Sequence, residues 1–162
     1  MIALTFSLAA CGGDDSDDAS PPDTGDSGAT SQSIPKDEFI AEGDELCAEF
    51  RETEERLQAQ FDDVTDPGEA ADLTRELADK AEEIADGMEA LGTPDEGAEL
   101  VDRYIEGTRE QIVVLNRFAD SVEDGDASEA EALRESAQEV GARLQGIAQG
   151  YGFEVCGSER DE

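Results

Sequence analysis

The chain has 162 residues, of which 44 are acidic, 11 are basic and none is histidine, so its formal net charge is −33. Without histidine there is no imidazole base or metal ligand, which excludes the Glu-x-x-His diiron sites of helical bundles and the His-Glu-x-x-His metalloproteases. The large negative charge repels a phosphate backbone and so argues against a nucleic acid as a partner.

Other signatures of catalysis are also missing from the sequence. The scattered glycines do not form a phosphate-binding loop. Paired carboxylates abound, but with 44 acidic residues any two of them resemble an acid/base pair, so the pattern has almost no specificity. The sequence therefore predicts a protein that is not an enzyme and that uses no cofactor.

The N-terminus resembles the end of a bacterial lipoprotein leader. Residues 1–10 are an apolar run, and Leu8-Ala9-Ala10-Cys11 resembles a lipobox, in which the cysteine receives a diacylglycerol and becomes the mature N-terminus. A secretory leader has about 15–30 residues and a positive n-region, but no basic residue precedes Lys36. We interpret residues 1–10 as a truncated lipoprotein signal segment and expect lipidation of Cys11 on the extracytoplasmic face of the cell membrane. The alternative is a frayed apolar N-terminus with an accidental cysteine.

Residues 11–35 are typical of a disordered acidic linker. They are rich in Gly, Ser, Pro and Asp, with six aspartates, no basic residue and only Ile34 as a candidate for a core. Such a composition cannot bury enough apolar area to offset its chain entropy. A Ca²⁺ site at residues 14–18 is conceivable, but this stretch lacks the glycine and terminal glutamate of an EF-hand loop.

Residues 36–162 predict one all-α domain, an up-down-up-down four-helix bundle. Apolar residues recur at three- and four-residue steps in four stretches, residues 39–61, 70–91, 101–122 and 130–151. Asp66-Pro67-Gly68-Glu69 and Thr93-Pro94-Asp95-Glu96 have the pattern of an N-cap followed by an N1 proline. Gly92 suits the end of the second helix, and Asp126 with Glu129 caps the fourth. Short connections favour antiparallel neighbours, and we expect helices one and four to be adjacent where the bundle closes.

The cysteine count is consistent with export. There are three cysteines, Cys11, Cys47 and Cys156, and an odd cysteine in a secreted protein requires an explanation. Lipidation of Cys11 leaves a pair, and disulfides persist in oxidising compartments, so we predict a Cys47–Cys156 disulfide. Two buried free thiols are the alternative. A metal site is disfavoured because two isolated cysteines lack the paired spacing of zinc sites.

Two stretches together resemble a group of small, uncharacterised actinobacterial lipoproteins and secreted proteins. They are residues 39–47, which end at Cys47, and Tyr151-Gly152-Phe153-Glu154-Val155-Cys156-Gly157. The resemblance covers the lipobox, the first helix and the C-terminus, whereas the middle is similar only in helical character. It implies a surface-anchored helical domain and supplies no catalytic residues. This chain departs from the group in its short leader and its excess of acid.

The acidic excess and the helical glycines each have two interpretations. The acids form either a solvated surface or weak divalent-cation sites at clusters such as Glu52-Glu54-Glu55, Asp62-Asp63 and Glu82-Glu83. The glycines mark either close helix approach or a groove for an apolar ligand or partner helix. The polar side chains available to such a groove are Tyr104, Thr108 and Asn116.

These observations lead to one functional expectation. We expect a lipid-anchored extracytoplasmic module that binds an envelope protein or ligand without catalysis. The alternative is a lipoprotein that binds a divalent cation or a small ligand.

Overall fold

Four α-helices account for most of residues 33–158, the part of the chain that the structure, a computed structural model, describes. They are α1 (Lys36–Phe61), α2 (Pro67–Ala90), α3 (Ala98–Glu123) and α4 (Ala127–Tyr151). Short connections make consecutive helices antiparallel, and the predicted up-down-up-down bundle with one disulfide, Cys47–Cys156, is confirmed. None of the helices in this range is long and apolar enough to cross a membrane.

The core forms where the apolar stripes of the helices face one another. The largest fully buried side chains are Phe39 and Leu57 of α1, Met88 of α2 and Tyr151 of α4. Smaller residues fill the space between them, as expected for helices that pack closely. The buried apolar residues of the middle helices are Ala71, Leu73, Ala78, Ala81, Ile84 and Ala85 of α2 with Val101, Ile105, Val114 and Ala119 of α3.

Two of the predicted helix starts are confirmed by their hydrogen bonds. The carboxylate of Asp66 accepts the backbone N–H of Glu69 at 3.0 Å, and that of Asp126 accepts the backbone N–H of Glu129 at 3.0 Å. Each cap satisfies a backbone donor that has no partner within the helix and stabilises the helix by about 1 kcal/mol. Gly92 ends α2 with a φ of 96°, which favours glycine.

The predicted start of α3 is wrong, and one residue of that start, Asp95, binds the beginning of another helix. α3 begins at Ala98, after Gly97 with a φ of 74°, and not at Pro94. α1 follows Pro35, which offers no side-chain acceptor, and the carboxylate of Asp95 accepts the backbone N–H of Lys36 at 2.9 Å instead. The backbone of Ile34 pairs with residues 93 and 95 in the same connection, so the fold begins slightly before residue 36.

Helices α1 and α4 are less closely adjacent than predicted. Within the described part of the chain, no Cα atom of α1 lies within 8 Å of a Cα atom of α4. The two helices meet at one end through the rings of Phe39 and Tyr151, whose centroids lie 6.0 Å apart in an edge-to-face arrangement. The chain beyond α4 then crosses to α1, so a segment of the tail joins the two helices.

Candidate functional site

The C-terminal tail forms a clasp, which we define as residues 152–158 and the part of α1 that they contact. Gly152 ends α4 with a φ of 113°, a conformation that favours glycine and turns the chain back. Phe153 is 4% exposed and packs over Gly43, where an added Cβ would lie 2.6 Å from the Phe153 ring. Gly43 is therefore required for the close approach of tail and helix.

A single carboxylate of α1 holds the tail backbone. Asp44 accepts three backbone N–H groups, from Glu154 at 2.8 Å, Val155 at 2.9 Å and Cys156 at 3.1 Å. Hydrogen bonds to a charged acceptor are stronger than those between neutral groups. The carboxylate thus fixes the tail one helical turn from the cysteine that binds it covalently.

The disulfide lies on the core side of this clasp. Cys47 is 6% exposed, and its Cα lies 5.2 Å from that of Cys156. The Tyr104 hydroxyl lies 3.8 Å from Cys47 Sγ, and burial, with the nearby charge of Asp44, raises the pKa of Tyr104 to about 12. The tail also meets α1 through Arg51, which donates a hydrogen bond to the carbonyl of Ser158 at 3.1 Å. The clasp therefore ties the tail to α1 both covalently and through hydrogen bonds.

Of the three polar residues expected at a groove, Tyr104 places its hydroxyl beside Cys47, and the other two bond to their own helix. Thr108 donates its hydroxyl to the carbonyl of Tyr104 at 2.9 Å, and Asn116 donates its amide to the carbonyl of Ile112 at 3.1 Å. Three helical glycines lie where an added Cβ would come within 3 Å of a neighbouring side chain. They are Gly43, Gly87 and Gly107. Close approach therefore explains these three glycines, whereas Gly141, Gly146 and Gly150 have open space around them.

The carboxylates of residues 33–158 are exposed or half-buried. Among residues 33–158, the buried polar side chains are Thr74, Thr108 and Ser121, and no carboxylate is among them. Within the same range, no group of three or more Cys, Asp or Glu side chains converges as metal ligands would. The predicted lipidation site, Cys11, and the aspartates of residues 14–18 lie outside the described residues.

The end of the bundle opposite the clasp contains an open apolar cavity, which we call the distal pocket. It has a volume of about 290 Å³ and lies between the α1–α2 and α3–α4 connections. The sequence does not predict it, because its lining comes from two connections that meet only in the folded chain. Its apolar lining is Val64, Pro67, Ala70, Val122, Ala127 and Ala130.

A second cavity, of about 450 Å³, lies beside the α2–α3 connection and is more polar. Its one basic lining residue, Arg109, pairs with Glu89 at 2.7 Å and with Asp86 at 3.7 Å. The hydrogen bond from Arg109 lowers the pKa of Glu89. Because its cation is engaged by these acids, this cavity offers little to an anionic ligand.

Comparison of the chain with protein families, curated proteins and solved structures finds no match. The site must therefore be interpreted from its own geometry: a cross-linked end with a polar cavity beside the α2–α3 connection, and an open, apolar pocket at the distal end.

Proposed function

We propose that the protein is a lipid-anchored, extracytoplasmic binding module of the cell envelope that performs no catalysis. The observation that carries the proposal is the Cys47–Cys156 disulfide. Such bonds persist outside the reducing cytoplasm, so the bond supports export. Export in turn supports lipidation as the role of Cys11, the remaining cysteine of the chain.

The distribution of polar groups supports binding rather than catalysis. A bundle enzyme that used acidic residues would hold them inside, where burial shifts their pKa values towards those needed for proton transfer. In the described part of the chain the carboxylates are at the surface, and the cavities are open to solvent. A rigid cross-linked domain with an open apolar pocket is suited to presenting a surface to another molecule.

Native mass spectrometry of the protein extracted from the membranes of its source cells tests this proposal. We expect a diacylglycerol on Cys11, an intact Cys47–Cys156 bond and no retained ligand. A matched Cys11→Ser variant should appear in the soluble fraction with the same disulfide. An unmodified Cys11 in soluble wild-type protein would refute the anchor, and a retained metal ion or small molecule would instead favour a ligand-binding lipoprotein.

A further inference from the structure

The distal pocket lies at the end of the bundle farthest from the point where residues 1–32 join the domain. Ile34 pairs with the α2–α3 connection, whereas the pocket is lined by the two connections at the other end. α1 runs between these ends, and its 26 residues span about 39 Å at 1.5 Å per residue. A partner bound at the pocket would therefore be held away from the junction with the N-terminal segment.

The size and lining of the pocket suit one apolar side chain. Its volume of about 290 Å³ is at the lower limit for sites that enclose a drug-sized ligand, and the pocket is open to solvent. Elsewhere on residues 33–158, Val113 is the only large apolar side chain that is exposed. The pocket is the more apolar of the two cavities described, and it offers a partner a place to bury an apolar group.

The surroundings of the pocket are strongly acidic. Residues 57–74 and 118–133, which contain the two connections and their flanking turns, carry eleven acidic side chains and no basic one. Two arginines reach in from outside: Arg75 pairs with Asp120 at 2.9 Å and with Glu123 at 2.6 Å, and Arg117 pairs with Glu129 at 2.9 Å. Asp63 and Asp124, at the tips of the connections, are exposed and form no ion pair within the described part of the chain.

This charge excludes two occupants that the chain itself could supply. A second copy carries a net charge of −33 and would be repelled. The N-terminal linker has length enough to reach, but its six aspartates and lack of basic residues make it equally unsuitable. We call the acidic side chains around the pocket the acidic rim. An occupant that complements both the apolar lining and this rim carries positive charge beside an apolar group.

We propose that the distal pocket binds a basic segment of a partner protein, with one aliphatic or aromatic side chain in the pocket and flanking Lys or Arg residues on the acidic rim. The inference rests on the proposed function only in treating the domain as a binding module. It does not require the lipid on Cys11, so the two proposals can fail separately.

A pair of synthetic peptides tests the proposal on the full chain carrying Cys11→Ser. The probes are Lys-Lys-Leu-Lys-Lys and Lys-Lys-Ala-Lys-Lys, both blocked at their ends, at about 0.15 M salt, where the screening length is about 8 Å. We expect amide chemical shifts to change around Val64, Val122 and Ala130, with the leucine peptide bound about tenfold more tightly. Equal affinities, or shift changes spread over the whole acidic surface, would overturn the proposal.

Matched variants separate the pocket from general charge attraction. Ala127→Leu places a larger side chain in the pocket and should abolish the preference for leucine, whereas Ala132→Leu, at an exposed position of the same helix, should preserve it. Asp63→Asn with Asp124→Asn should weaken binding at least threefold. Glu135→Gln with Glu139→Gln removes the same charge from the exposed face of α4, and an equal loss in this control would contradict the assignment.

Discussion

Loss of the Cys47–Cys156 disulfide should lower the free energy of unfolding of the domain by about 4–5 kcal/mol. The bonded residues are 109 apart in sequence, and the chain-entropy relation gives about 4.8 kcal/mol at 25 °C for a loop of this length. With an unfolding entropy of about 2.1 cal/mol/K per residue over residues 33–158, this corresponds to a fall in Tm of about 18 °C. We expect the three hydrogen bonds to Asp44 to hold the tail after reduction as well, so the expected loss comes from the freer unfolded chain.

The assay is urea unfolding followed by far-ultraviolet circular dichroism, with and without reductant, on chains carrying Cys11→Ser. In oxidising buffer Cys47→Ser should show the full loss of stability. After reduction the parent chain should fall to nearly the same stability, so that the substitution has little further effect. Equal effects of Cys47→Ser in both buffers, or an unchanged unfolding midpoint of the parent on reduction, would refute the cross-link.

Substitution of two helical glycines by alanine should change the free energy of unfolding in opposite directions. Both tyrosines should ionise at a higher pH than a solvent-exposed tyrosine. Gly43→Ala should lower the free energy of unfolding by about 1–3 kcal/mol, because the added methyl would lie 2.6 Å from the ring of Phe153. Gly146→Ala should raise the free energy of unfolding by up to about 1 kcal/mol, since no neighbouring atom lies within 4 Å of its added Cβ. Urea denaturation measures both changes. Effects of the same sign would contradict the different surroundings of the two glycines. Alkaline titration by tyrosinate absorbance should find both tyrosines above their ordinary pKa, because burial raises the pKa of Tyr104 to about 12 and also raises that of Tyr151. The unfolded chain ionises these tyrosines at a lower pH than the folded chain, so the free energy of unfolding should fall between about pH 10 and pH 12. Ionisation of both tyrosines at pH 10 in the folded protein would be inconsistent with their burial.

The helices and the disulfide were predictable because their determinants are local or few. Apolar spacing defines the buried face of each helix, and Asp66 and Asp126 satisfy backbone donors only three residues away. The cysteine pair was predictable because the third cysteine, Cys11, has a different expected role. These inferences require no knowledge of how the helices pack.

The errors arose where a residue serves a distant part of the chain. Asp95 follows the predicted N-cap and N1 proline of α3, Thr93 and Pro94, yet its carboxylate accepts the backbone N–H of Lys36, 59 residues away. The spacing of apolar residues likewise identifies the buried faces of α1 and α4. It does not indicate that the two helices are joined by the tail and not by close packing of their backbones. The distal pocket depends on how two connections meet in space, and the hydrophobic pattern of each one alone does not reveal it.

The position of the disulfide has a consequence for proteolysis. The covalent ring between Cys47 and Cys156 includes all three connections between helices, residues 62–66, 91–97 and 124–126. A protease that cuts one exposed connection therefore produces two pieces that remain joined through the sulfur atoms. Neither piece can diffuse away, and the helices stay together to repack around the cut. Release of a fragment requires a second cleavage, reduction of the bond, or a cut outside the ring.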